Sequence, residues 1–208
     1  MEVISDPNAT KRKYFIAMVN KYAKPGAGSG IEFLNQRTWT HPVANIAQII
    51  KQTQFVIVGG VATRLYMPER MTLDLDILVK AEEARLVYQD LIEANSQKIG
   101  ELTIPGSQWQ LEDGTLLDVL EGKDDWVHTA IQHPNSSPDG LPIIRLPYLV
   151  LMKLLAGRSQ DLADISRMLG GATEVQLINV KQVIGQYLPS ALEDIGSLII
   201  LGKLENNR

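Results

Sequence analysis

The 208-residue chain contains no cysteine. Disulfides, thiolate metal sites and cysteine nucleophiles are therefore excluded together. Long apolar runs are absent too. No stretch of 18 consecutive apolar residues occurs, and no secretory hydrophobic segment is evident, so a cytoplasmic protein outside the membrane is expected. Histidine is scarce, and His128 and His133 lack metal-ligand spacing with other ligands, so neither receives a role. No large excess of charge of either sign exists: 20 basic and 24 acidic residues leave a net charge of −4. Nothing in that balance attracts nucleic acid globally, and a polynucleotide partner would need a local basic patch. What remains is an apolar content of 45 % and a charged content of 21 %. That composition suits an ordinary globule with one core, or a core plus a small helical appendage.

The densest signal is a glycine pair followed by two alternating acids. Phe55-Val56-Ile57-Val58 reads as a strand running into Gly59-Gly60, and Val61 to Tyr66 reads as a short helix. With 13 residues between Gly60 and Asp74, the run Asp74-Leu75-Asp76-Ile77-Leu78-Val79 follows on a second strand. Residues two apart on a strand share a face. Asp74 and Asp76 thus point one way, and Leu73, Leu75 and Ile77 point the other way into a core. Two adjacent carboxylates repel unless a cation lies between them, and hard oxygen donors suit Mg²⁺. The glycines offer bare backbone that a phosphate can approach.

This arrangement resembles the nucleotidyltransferase fold of the DNA polymerase beta superfamily. The family's pattern, a glycine pair after a strand, a helical gap and then Asp-apolar-Asp-apolar, is filled by Gly59-Gly60 and Asp74-Leu75-Asp76-Ile77. Its third carboxylate lies on a later strand, and Asp118 is the matching position here, in the apolar run after the Asp113-Gly114 turn. Gly60 stands where many relatives have serine. The resemblance implies an α/β (α+β) fold with a small mixed sheet, flanking helices and a C-terminal helical cap.

A second segment strengthens the likeness. Lys153-Leu154-Leu155-Ala156-Gly157-Arg158, followed by Asp161 and Asp164, resembles the downstream motif of the AbiEii/AbiGii-type nucleotidyltransferases, as does Arg70-Met71-Thr72 ahead of the acids. That subgroup includes toxins of toxin–antitoxin pairs. On one continuous helix, Lys153 and Asp164 would lie within about 20° of each other and Asp161 within about 80° of Lys153. A break at Gly157 would remove that alignment.

The resemblance implies Mg²⁺ (or Mn²⁺) held by Asp74, Asp76 and Asp118. It implies nucleotide binding by Gly59, Gly60, Thr63, Arg64, Thr72, Lys153, Arg158 and Asp161, with Lys153 also serving the reaction. The activity implied is transfer of NMP from an NTP to an acceptor hydroxyl with release of pyrophosphate. The acceptor would be tRNA, protein or a small molecule, and a cognate antitoxin would be a partner. The alternative is a binding module that keeps the fold without the reaction.

The remaining chain reads as follows. Residues 1–30 form an N-terminal extension, with Lys11-Arg12-Lys13 on a solvated face and a flexible linker at 25–30. Residues 31–145 are the catalytic core, and 146–208 a C-terminal helical region. Helices are expected at 41–54, 81–96, after Pro147 and over 175–204, where Pro189 divides the last. A strand is expected at 102–109 and an edge strand at 142–144. Trp126 sits on a short helix, as a core or loop anchor more than as a base-stacking group.

Overall fold

The computed structural model describes residues 5–22, 44–68, 72 and 74–206. The expected linker at 25–30, residues 41–43 of the expected helix, and Arg70, Met71 and Leu73 lie outside them. In chain order the helices are α1 (Ala9–Tyr22), α2 (Ile46–Ile49), α3 (Gly59–Thr63), α4 (Ala84–Glu93), α5 (Asp125–Gln132), α6 (Leu146–Ala156), α7 (Ser159–Gly170), α8 (Glu174–Tyr187) and α9 (Leu192–Asn206). The strands are β1 (Val56–Ile57), β2 (Asp74–Lys80), β3 (Gln97–Glu101), β4 (Gly106–Gln110), β5 (Leu116–Gly122), β6 (Asn135–Ser136) and β7 (Pro142–Ile143). The chain divides into two compact units, one holding the sheet with α2–α5, the other α1 and α6–α9. Among the described residues no helix is long and apolar enough to cross a membrane.

The sheet unit is mixed α/β, with its seven strands in the order β3-β4-β5-β2-β1-β7-β6. β2 pairs with β5 in parallel, and β1 with β7 in parallel; the other neighbours are antiparallel. Strand alternation gives β2 and β5 one fully apolar face: Leu75, Ile77, Val79, Leu117 and Val119 are all buried. Trp109 of β4 lies beside Leu117 in register, and its ring stacks on Tyr88 of α4 at 5.5 Å. Tyr88 also bonds Glu121, and burial, then that bond, pushes its phenol up to about 12. Trp126 is buried and donates to Asp124 Oδ2 at 3.2 Å, the anchoring role expected of it.

Several boundaries differ from the sequence expectations for physical reasons. Over the described residues of the helix expected at 41–54, the helix is the single turn α2. Ile50 turns extended, and the backbone N–H groups of Lys51 and Gln52 donate to the Asp90 carboxylate at 2.7 and 3.0 Å. A side chain from α4 thus takes the donors that further helix would have used. Of the strand expected at 102–109, residues 106–109 lie in β4 and 102–105 form the turn that joins it to β3, which was not expected.

In the helical unit α1 is tied down by one fully buried residue. Arg12 donates to Asp6 through Nη1 and Nη2 at 2.7 and 2.6 Å, and to Asp194 of α9 through Nε at 2.9 Å. The basic triplet is therefore split: Lys11 and Lys13 are exposed as expected, but Arg12 is enclosed. Asn8 donates to the Leu155 carbonyl at the end of α6. α8 opens with a capping box made by Thr173 and Gln176, and α7 and α9 cross where Gly202 lies against the Ser166 carbonyl and Gly170.

The Arg12 hydrogen bonds hold the Asp6 carboxyl down to about 2. A carboxyl depressed in the folded state contributes stability above its unfolded value, near 3.9, and loses it as pH falls towards 2. Urea unfolding between pH 4 and pH 2 should therefore show a decline on the order of 2 kcal/mol from this group. Asp6→Asn should remove that share of the decline; an identical pH slope in both proteins would refute it.

Candidate active site

Asp76 and Asp118 are register partners on the parallel strands β2 and β5. Neighbouring strands lie about 4.8 Å apart and partners project from the same face. Two carboxylates are therefore presented side by side, on the face opposite Leu75, Ile77, Leu117 and Val119. Asp74 shares that face two residues earlier, about 6.6 Å along the strand, and is exposed while Asp76 and Asp118 are half-buried. Among the described residues no group of three Asp, Glu or His side chains is gathered so as to hold a metal ion alone. The donor chemistry of the Asp76–Asp118 pair nonetheless fits Mg²⁺, which commonly takes one or two carboxylates and completes its shell with water and substrate phosphates.

The glycine pair abuts these acids. Gly59 has φ +61, and a Cβ there would fall 1.9 Å from Asp76 Oδ2. Glycine is thus required twice over, for the left-handed backbone and for the carboxylate resting on it. A Cβ on Gly60 would fall 2.7 Å from Thr72 Oγ1, so Thr72 covers the second glycine. The helix that was expected to follow the pair instead begins with it, at Gly59, and lasts five residues. Thr63 is fully buried and donates its hydroxyl to the Gly60 carbonyl at 2.6 Å; Arg64, next in the chain, is half-buried.

The helical unit holds the other sequence candidates. Gly157, at φ +63, separates α6 from α7, so the single-helix alignment of Lys153 with Asp161 and Asp164 does not exist. The three meet by another route. Lys153 Nζ reaches from α6 to Asp161 Oδ1 at 3.0 Å and Asp164 Oδ2 at 2.8 Å on α7. Arg158 grips Asp161 through Nε at 2.6 Å and Nη2 at 3.2 Å, the i, i+3 pair that the spacing suggested. Gln160 donates to Asp164. Lys153 is 5 % exposed and Asp161 1 %. Burial works to raise the Asp161 carboxyl, but the Arg158 bond and the Lys153 charge outweigh it and hold the group below its ordinary range.

One polar neighbour of the acids escaped sequence reasoning. Gln108 on β4 is the register partner of Asp118 and donates Nε2–H to Asp118 Oδ1 at 2.8 Å. Its place between Ser107 and Trp109 on the strand expected at 102–109 was the available signal, but nothing local to it reports the partner on β5.

No family model and no curated protein matches the chain. Among solved structures it is similar to the solution structure of the antibiotic-resistance factor ANT(2'')-Ia, at 12 % identity and TM-score 0.40, over 96 % of this chain and 93 % of that one. It is also similar to the crystal structure of ANT(2'')-Ia in complex with adenylyl-2''-tobramycin, at 16 % identity and TM-score 0.37, over 72 % and 87 %. Neither likeness is close enough to carry a function across.

Gly59→Ala should destabilise the chain by about 2–4 kcal/mol, from left-handed strain and displacement of Asp76. Gly114→Ala, also at positive φ but with nothing within 4 Å of the added carbon, should cost only the strain. Equal losses of thermal stability would contradict the contact with Asp76. Lys153→Met, which leaves two buried carboxylates without their shared cation, should cost about 3–5 kcal/mol in urea unfolding. A loss below about 1 kcal/mol would mean that Arg158 alone suffices.

Proposed function

We propose that the chain is a divalent-metal-dependent nucleotidyltransferase that moves NMP from an NTP to an acceptor hydroxyl. The observation that carries this reading is the registered pair Asp76–Asp118, with Asp74 on the same face and Asp76 packed on Gly59. A structural role explains this poorly, since two adjacent half-buried carboxylates repel each other. The Lys153–Arg158–Asp161 motif supports the same reading from sequence.

In this reading Asp74, Asp76 and Asp118 would hold Mg²⁺ or Mn²⁺. When bound, the metal offsets phosphate charge and makes the acceptor hydroxyl more acidic. Asp118 accepts the hydroxyl proton. The acceptor oxygen bonds the α-phosphorus, the bridging bond to the β-phosphate breaks, and pyrophosphate leaves with the bond's electron pair. The backbone beside Gly59 and Gly60 orients the phosphate chain by hydrogen bonding.

The test is label transfer from each α-³²P-labelled NTP, with Mg²⁺ or Mn²⁺, into separate tRNA, protein and small-molecule fractions. Label should enter one fraction with the unaltered chain and fall at least a hundredfold with Asp76→Asn, an order of magnitude typical of losing an electrostatic contact to the reacting group. The labelled fraction names the acceptor class. Transfer undiminished by Asp76→Asn, or no transfer to any fraction, would overturn the proposal, and the second result would leave a binding module.

A further inference from the structure

We infer that Gln108 is a positioning residue for Asp118; this rests on the proposed role of Asp118 as proton acceptor. β4 and β5 are antiparallel, and Gln108 faces Asp118 directly in register. The Gln108 amide donates to Asp118 Oδ1 at 2.8 Å. An ionised carboxylate only accepts hydrogen bonds, so the amide nitrogen must face it. β5 is flanked on its other side by β2, which brings Asp76 beside Asp118. Asp118 thus stands between a like charge and a neutral donor.

That asymmetry has consequences for the carboxylate. Repulsion from Asp76 alone would swing Asp118 towards whichever rotamer separates the charges. A hydrogen bond from the opposite side fixes the plane of the group and holds Oδ1, leaving Oδ2 as the oxygen for the acceptor hydroxyl. The donor is an amide and not a lysine or arginine. It orients the carboxylate without neutralising it, so the negative charge stays available to the hydroxyl. Gln108 is half-buried on a central stretch of β4, between buried Ser107 and Trp109. Its side chain therefore leaves from a backbone fixed by the core, as precise orientation requires.

A double-mutant cycle tests this in the label-transfer assay, using the fraction that the unaltered chain labels. Hydrogen-bonding partners of active carboxylates typically matter by ten- to a hundredfold. Gln108→Leu should lower kcat by about that factor and leave KM for the NTP unchanged. In an Asp118→Asn background the same substitution should cost nothing further, because the group it positions no longer acts. Gln108→His, which keeps an N–H of similar reach, should restore most of the rate. Equal losses in both backgrounds, or a rise in KM alone, would overturn the inference while leaving Asp118 in place. Full activity of Asp118→Asn would instead overturn the assignment of Asp118, and Gln108 with it. A second readout needs no acceptor. In ¹⁵N-labelled protein the Gln108 side-chain amide signals should shift on Asp118→Ala and stay put on Asp74→Ala; signals unmoved by Asp118→Ala would show that the bond is absent.

Discussion

The parallel pairing of β2 with β5 is the constraint on which the rest depends. It runs unbroken through seven register pairs, from Asp74 with Leu116 to Lys80 with Gly122. Because side chains alternate with period two, a one-residue slip of β2 would carry Asp76 to the core side and Ile77 to the other, and the same slip of β5 would do so to Asp118 and Val119. The burial of Leu75, Ile77, Leu117 and Val119 therefore fixes the register, and the register places the acids. The apolar face stabilises the arrangement that the polar face opposes by charge repulsion. Each fully buried Leu, Ile or Val is worth about 1.5–3 kcal/mol, which offsets part of the cost of bringing the carboxylates together.

The backbone beside the acids is fitted to them by shape. Gly59 lets the Asp76 carboxylate rest against the chain where any side chain would displace it. Thr72 closes over Gly60 in the same way. Read from sequence, the glycine pair is bare backbone for a phosphate. In the folded chain it is also the space into which Asp76 and Thr72 pack, so the strand and the turn specify each other.

The sheet face and its acids were legible in sequence because both signals are local. Alternation at 74–79 gave the face, and the apolar run through Asp118 gave the second strand. β3 was not legible: Gln97–Glu101 is an edge strand with no buried residue, so it carries no alternation to read. α2 stops early because of Asp90, nearly forty residues away in sequence, and no local pattern reports such a partner. Arg12 is the sharpest case. A basic triplet normally faces solvent, and Asp6 and Asp194, both remote from any motif, make the burial of Arg12 tolerable.

The Lys153 network follows from the character of α6. The buried residues of that helix, Leu146, Leu149, Val150, Leu151 and Leu154 among them, cover more than half its circumference. Apolar packing on so broad a surface defines the rotation of a helix about its own axis only loosely, because one leucine substitutes for the next. A lysine that must meet two carboxylates on α7 tolerates a single rotation. Replacing such buried ions with apolar residues often leaves stability unchanged or improved. The network is therefore better explained by what it specifies than by energy: it sets α6 against α7 across Gly157, where the helix alignment suggested by sequence is broken.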